Sequence, residues 1–323
     1  MRGPYHPDLY ATARPVESWW EATAPPAPDR APLEGDASTE VAIIGAGYAG
    51  LSAAQALAER GIEAVALDAG AIGWGASGRN GGIVGLGSDK LSPAEIARRW
   101  GEEGARAYWR AYLDGAERLR AFCAAEGVET QGAHEAFIAH APSIFETLRG
   151  GHGAERFGVA SELLSREAYA ERGFAGPEQH GALLIRPGFA LHPLQLAQAR
   201  ARAAERAGAR LHPRSEIRAW SREGRRHRLE TGRGSLRADR VLLATNGFTP
   251  DGLAEPFRGR AMPVISMIGV TRPLTPEERA LHAWREDGPL CTLRRMLYYV
   301  RMLPQNRLLF GMRGDLSGSQ ASA

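Results

Sequence analysis

The chain is poor in the residues that several kinds of chemistry need. Lys90 is the only lysine among 323 residues. That excludes a phosphate-loop lysine and offers no convincing Schiff-base site. Only two cysteines occur, Cys123 and Cys291, far apart and without CxxC spacing. They read as reduced thiols, Cys123 in a helix, and not as a disulfide framework or zinc site. No apolar run approaches membrane-spanning length, and the first residues lack a charged-then-apolar signal pattern. A cytoplasmic location is therefore expected, with no membrane-spanning segment. The nine histidines form no H-x-x-x-H or similar pair, so no metal is expected. Charge is nearly balanced, 40 basic against 37 acidic residues, and the arginines are scattered among acids. The tightest group, Arg222 to Arg228, reads as a hairpin turn, which argues against a nucleic-acid partner.

What is present concentrates in Val41 to Gly82. Val41 to Ile44 is a short apolar run suited to a strand buried on both faces. Gly45, Gly47 and Gly50 follow as G-x-G-x-x-G. The first glycine permits a tight turn, the second a close pyrophosphate, and the third close packing of the next helix. That helix is expected over Leu51 to Arg60, with Gly61 ending it in the left-handed conformation. Its first-turn amides and dipole suit a pyrophosphate. Ile62 to Leu67 reads as a second buried strand, and Asp68 stands at its end, 18 residues past the last glycine. A carboxylate there can accept from both ribose hydroxyls and would repel a 2′-phosphate. Strand, triplet, helix, strand and acid in this order predict dinucleotide binding.

The next stretch selects the dinucleotide. Gly73-Trp74-Gly75-Ala76-Ser77-Gly78-Arg79-Asn80-Gly81-Gly82 is so poor in side chains that its backbone can lie against a large flat ligand. Arg79 and Ser77 are available to phosphates. A nicotinamide domain would continue with regular βαβ units, which are lacking, so FAD is favoured over an NAD-dependent dehydrogenase.

Length suggests two domains. The proline-rich stretch 1–36 is expected to be an extended leader without regular structure, with Tyr5, Tyr10, Trp19 and Trp20 as possible anchors; a partly disordered arm is the equally weighted alternative. Ser92-Pro93-Ala94-Glu95 is a capping-box helix start, with the helix running to Ala125 and stopping at Gly127. Short strands are expected at Val128 to Thr130, Ala136 to His140 and Leu183 to Arg186, and a helix near Ser143 to Arg149. His192-Pro193 opens a helix over Leu194 to Ala207, closed by Gly208, so His192 reads as a pre-proline residue and not as a catalyst. Strands are then expected at Arg210 to His212, Glu216 to Trp220, His227 to Thr231 and Val241 to Ala244, the last a compact buried strand leading into Thr245-Asn246-Gly247. A nucleotide domain interrupted and then resumed by this strand describes a two-domain flavoprotein. Val264 to Arg272, Leu297 to Met302 and Leu308 to Met312 read as sheet strands of the second domain.

Together, VAIIGAGYAGLSAAQALAERG, GWGASGRNGG, LHPLQLAQARARAAERAG, VLLATNG and MPVISMI resemble the FAD-dependent oxidoreductases of the D-amino-acid oxidase superfamily, closest to the γ-glutamylputrescine oxidoreductase-like branch. The resemblance runs to Arg313. It implies an α/β fold in which a Rossmann-like FAD-binding domain is interleaved with a mixed-sheet α+β substrate domain, the flavin ring lying between them. The expected division is a leader at 1–36, FAD-binding parts at 37–127 and 192–255, substrate parts at 128–191 and 256–313, and a polar tail at 314–323.

By this resemblance Gly45, Gly47, Gly50 and Asp68 would bind the ADP half of FAD. Ser77, Arg79, Asn80, Gly81 and Gly82 would line pyrophosphate and isoalloxazine, Ile217 would offer its backbone to the adenine, and Ala244, Asn246 and Gly247 would form the returning turn. The reaction implied is oxidation of the C–N bond of an amine or amino-acid-like small molecule by hydride transfer to flavin N5, with oxygen or an unknown acceptor taking the electrons. Such chemistry needs no catalytic triad. Tyr298, Tyr299 and Arg301 are the substrate-cavity candidates, although strand alternation puts Tyr298 on the face opposite the other two. Related proteins continue for about a hundred residues past this end, with a last nucleotide-domain strand and a glycine-rich helix entry. The expectation is therefore a weakened FAD site: a truncated product of low or no activity, or a chain whose site a partner polypeptide completes.

Overall fold

A computed structural model describes residues 11–13, 17–86, 91–150, 153–253, 255–261, 264–294 and 296–313. Tyr5, Tyr10, Lys90, Met262, Pro263 and the 314–323 tail lie outside the described residues. In chain order the elements begin with α1 (Trp19–Thr23), β1 (Gly35–Ile44), α2 (Tyr48–Ala58), β2 (Ala64–Leu67), β3 (Ile83–Val84), α3 (Pro93–Glu126), β4 (Thr130–Gln131) and β5 (Glu135–Ile138). Next come α4 (Pro142–Leu148), β6 (Ala160–Leu164), α5 (Arg166–Arg172), β7 (Ala182–Arg186), β8 (Phe189–Leu191), α6 (Pro193–Arg206) and β9 (Arg210–His212). The series closes with β10 (Ala219–Glu223), β11 (Arg226–Glu230), β12 (Gly234–Leu243), β13 (Ser266–Val270), α7 (Pro276–Leu281), β14 (Leu290–Thr292), β15 (Tyr298–Leu303) and β16 (Arg307–Arg313).

The chain divides into two compact units. One takes the described residues up to Asn80 together with Pro193–Ile265; the other takes Gly81–His192 and Ser266–Arg313. In the first unit six strands run in the order β10-β11-β12-β1-β2-β9. β12, β1, β2 and β9 are parallel, whereas β10 and β11 are an antiparallel hairpin attached to β12. Val41 to Ile44 and all of β2 are buried, as uninterrupted apolar runs require when a sheet is covered on both faces. On one face Ile43, Leu51, Ala54, Ala201 and Ala204 form a common core between β1, α2 and α6. Alanine on α6 leaves little side chain between the two helices, and each fully buried Leu or Ile contributes about 1.5–3 kcal/mol. On the other face Leu33, Ile44, Leu67, Leu229 and Leu236 pack together.

The second unit holds a mixed seven-stranded sheet, β13-β16-β15-β14-β5-β7-β6, in which only the β14–β5 pairing is parallel. A small sheet, β3-β8-β4, accompanies it. The predicted cap of the long helix is formed: the Ser92 hydroxyl accepts from Glu95 N–H, the Glu95 carboxylate accepts from Ser92 N–H at 2.9 Å, and Gly127 closes α3 at φ 70°. Cys123 is buried in that helix.

Several expectations need correction. The leader is not devoid of regular structure: Trp19–Thr23 is a helical turn capped by Ser18, and β1 already begins at Gly35. Residues 216–218 are not strand. The tight turn at Gly224 (φ 63°) pairs Glu223 with Arg226 and sets the hairpin so that β10 starts only at Ala219. Among the expected short strands, Val128 to Thr130 is displaced to Thr130–Gln131, where pairing with Leu191 and Ala190 holds it. Val241 to Ala244 is neither compact nor buried: Val241 to Leu243 close the ten-residue β12, with Leu242 40% exposed.

Candidate functional site

The cradle is built where β1 ends. Gly45 takes φ +102°, and a Cβ there would stand 2.6 Å from the Ala244 carbonyl oxygen. The returning strand β12 therefore lies hard against the glycine turn, and Ala244 N–H donates to Ile44 O at 2.8 Å. A Cβ on Gly50 would collide with the Gly45 carbonyl, which is how the third glycine lets α2 start directly behind the turn. A Cβ on Gly47 would meet Ser77 Oγ at 2.8 Å. That hydroxyl accepts from Tyr48 N–H at 3.0 Å, so Ser77 caps α2, whose own N-cap, Gly47, has no side chain to offer.

Asp68 stands at the end of β2. Its Oδ2 accepts from Ala46 N–H at 2.7 Å and its Oδ1 from Gly70 N–H at 2.9 Å. Burial raises the pKa of this carboxyl against the two amide bonds, which lower it. Asp68 thus fixes the glycine turn. Asn80 has a comparable bracing role, its amide donating to Ala76 O and Ser77 O, each at 3.1 Å.

A cavity of about 1100 Å³ opens on this cradle. Of the predicted residues, Gly45, Gly47, Asp68, Ser77, Ile217, Ala244 and Asn246 line it. Gly50, Arg79, Asn80 and Gly247 belong to the same unit but are not in its lining, whereas Gly81 and Gly82 belong to the other unit. Sequence reasoning missed Trp74, Ser215, Glu216, Arg218, Thr245 and Phe248. Trp74 lies within the glycine-rich loop, and its ring meets Phe248 edge-on at 5.7 Å. The Arg79 guanidinium lies 4.2 Å over the same indole. Its Nε and Nη2 are buried without a hydrogen-bond partner, and burial lowers its pKa while the Glu21 charge raises it. A dinucleotide fits these observations: backbone free of side chains where Gly45 and Gly47 line the cavity, a helix N-terminus and a hydroxyl at Ser77, with the half-buried Arg79 guanidinium in the same unit.

In the second unit Tyr299 and Arg301 share one face of β15. A Cβ on Gly81 would meet the Tyr299 ring at 2.8 Å, and Arg301 Nη1 donates to Gly82 O at 3.3 Å. Burial lowers the Arg301 pKa to about 10, still a cation at neutral pH. Tyr298 is on the opposite face, tilted against Phe310 at 5.3 Å. His192 has its pKa lowered to about 4 by burial and by the Arg301 charge. His134, Glu286 and Asp287 also come together in this unit, a grouping invisible in the sequence. Glu286 serves there as a hydrogen-bond hub, accepting from Tyr169 Oη at 2.7 Å and Gly288 N–H at 3.0 Å, with His134 Nε2 at 2.9 Å. No described helix is long and apolar enough to cross a membrane.

Residues 40–322 match the FAD dependent oxidoreductase (DAO) family. The chain belongs to that family. It is 30% identical over 312 residues to the probable oxidoreductase OrdL of Rhizobium meliloti, covering 93% of this chain and 69% of that protein. To the γ-glutamylputrescine oxidoreductase of Escherichia coli it is 30% identical over 275 residues, 84% of this chain and 64% of the relative. Among solved structures, the fold is similar to glycine oxidase from Geobacillus kaustophilus, with a TM-score of 0.63 at 21% identity, covering 86% of this chain and 73% of that one. L-proline dehydrogenase from P. horikoshii gives a TM-score of 0.65 at 18% identity, with coverages of 87% and 70%. The family's cofactor is FAD, and with it the α/β flavoprotein fold is established for this chain.

Proposed function

We propose that this flavoprotein oxidises the C–N bond of an amine or amino-acid-like substrate, with γ-glutamylputrescine the first compound to try. The observation that carries the proposal is the 30% identity to a γ-glutamylputrescine oxidoreductase over 275 residues, set beside a cradle whose geometry suits FAD.

Gly45, Gly47, Gly50 and the first turn of α2 would take the pyrophosphate, with Ser77 Oγ and the Arg79 guanidinium as further donors. Asp68 would accept from the ribose, Ile217 would present its backbone to the adenine, and Ala244, Asn246 and Gly247 would close the turn. Asn80 would hold the glycine loop in shape; Gly81 and Gly82 pack within the second unit against Tyr299 and the Leu191 carbonyl. Bound FAD supplies a hydride acceptor at N5. Arg301 is a buried cation on a strand face shared with Tyr299, a placement suited to a substrate carboxylate. Tyr298 packs on Phe310 and is assigned to structure.

The test is anaerobic mixing of the FAD-loaded chain with γ-glutamylputrescine, glycine and L-proline, following the visible flavin band. Bleaching by one of them supports the reading and names the substrate class. A bound flavin that stays oxidised with all three contradicts it. Arg301→Gln should raise KM for a carboxylate-bearing substrate more than it lowers kcat.

A further inference from the structure

The leader precedes the family-matched region, which begins at residue 40, yet it is fastened to the first unit by specific bonds. Arg30 is buried and forms a bidentate pair with Glu205 near the end of α6, Nε to Oε1 at 2.6 Å and Nη2 to Oε2 at 2.7 Å. Leu33 N–H donates to Ser215 Oγ at 2.8 Å, and Arg214 Nη2 donates to Arg30 O at 2.6 Å. Upstream, Trp20 is only 4% exposed and α1 packs against α6.

These fastenings end at the cofactor cavity. Ser215, which holds Leu33, lines the 1100 Å³ cavity. Thr12 lines it as well, and also lines a second cavity of about 650 Å³ that has Glu21 in its wall. Trp74 and Arg218 border both cavities, so leader residues stand along the margin of the space that the glycine cradle opens.

We propose that the leader is a wall of the FAD site, and that its docking through the Arg30–Glu205 pair and FAD binding stabilise one another. The inference rests on assigning the larger cavity to the ADP half of FAD. A ligand that contacts a docked segment favours the docked state by its differential affinity, and by linkage docking favours the ligand by the same factor. The Arg30–Glu205 pair is a suitable anchor because a bidentate guanidinium–carboxylate contact is both strong and geometrically selective.

The experiment measures FAD dissociation constants by flavin fluorescence on the full chain, for wild type, Arg30→Gln, Glu205→Gln and the reversed pair Arg30→Glu/Glu205→Arg. Each single change should raise Kd about tenfold, and the reversed pair should recover most of the loss. In parallel, hydrogen exchange of the 17–33 amides in wild type should slow when FAD is added, a readout that does not depend on the variants folding. FAD binding with Kd unmoved in the single variants, or leader exchange indifferent to FAD, overturns this inference alone. A wild-type chain that binds no FAD overturns the cavity's assignment and the inference with it.

Discussion

The Ser77 hydroxyl accepts a hydrogen bond from Tyr48 N–H at 3.0 Å, across 29 residues of sequence. It joins the two glycine-rich segments into one site, because the loop after β2 supplies the cap that the G-x-G-x-x-G helix lacks. Ser77→Ala should cost about 0.5–2 kcal/mol of stability, as other N-cap losses do. It should also weaken FAD binding. Chemical denaturation and FAD titration of the same variant check both halves.

Gly47→Ala weighs on binding more than on folding. Its Cβ would face the movable Ser77 hydroxyl at 2.8 Å and not backbone. Moving that hydroxyl disturbs the cap on α2, so the expected result is a stability loss no larger than that of Ser77→Ala, with FAD affinity reduced at least tenfold, read by thermal melting and fluorescence titration.

Gly45→Ala should behave differently. That residue combines φ +102° with a would-be Cβ 2.6 Å from the Ala244 carbonyl, whereas Gly61 has φ +73° and open space. A positive φ alone costs about 1 kcal/mol, and a backbone collision adds to it. Gly45→Ala is expected to destabilise by more than Gly61→Ala in matched urea titrations. Equal losses would show that the close approach of β12 to the turn is wrong.

His192 offers a pH test. Its folded pKa of about 4, set by burial and then by Arg301, is below the unfolded value of about 6.5. Neutral His192 therefore contributes stability that is complete above pH 6.5 and is lost as pH falls through 4. In Arg301→Gln the folded pKa should move upward part of the way and this window should narrow. NMR titration of the His192 ring measures the shift directly.

A simpler titration concerns α7. Glu278 has its pKa lowered to about 2 by the Arg272 guanidinium and the Thr275 N–H. Its contribution should be complete above about pH 4.5 and disappear as pH falls through 2. Arg272→Gln should return the midpoint toward the ordinary glutamate range in a carboxyl NMR titration.

The turn at the end of β1 and the helix after it are readable because their signals are local. Gly45, Gly47 and Gly50 sit within six residues, Asp68 follows at a fixed distance, and Ser92 with Glu95 spells a helix start. What escaped depends on chain segments meeting from afar. Ser215 and Thr245 line the cavity only because β9 and β12 flank the first βαβ unit. Residues 216–218 look apolar-alternating enough for a strand, yet the Gly224 turn sets the hairpin register elsewhere. The leader's prolines suggested an extended arm, but Arg30 meets Glu205 across 175 residues, a pairing no local pattern announces. Alternation did separate Tyr298 from Tyr299 and Arg301, since a period of two needs only the strand itself.

The most direct measurement is the visible absorbance spectrum of the purified chain mixed with FAD and passed through a desalting column, for wild type and Gly47→Ala side by side. The account predicts markedly more flavin retained by wild type than by the variant, with both proteins folded. A wild-type chain that leaves the column colourless, or a variant that retains as much flavin as wild type, would contradict the placement of FAD on the Gly45–Gly50 turn.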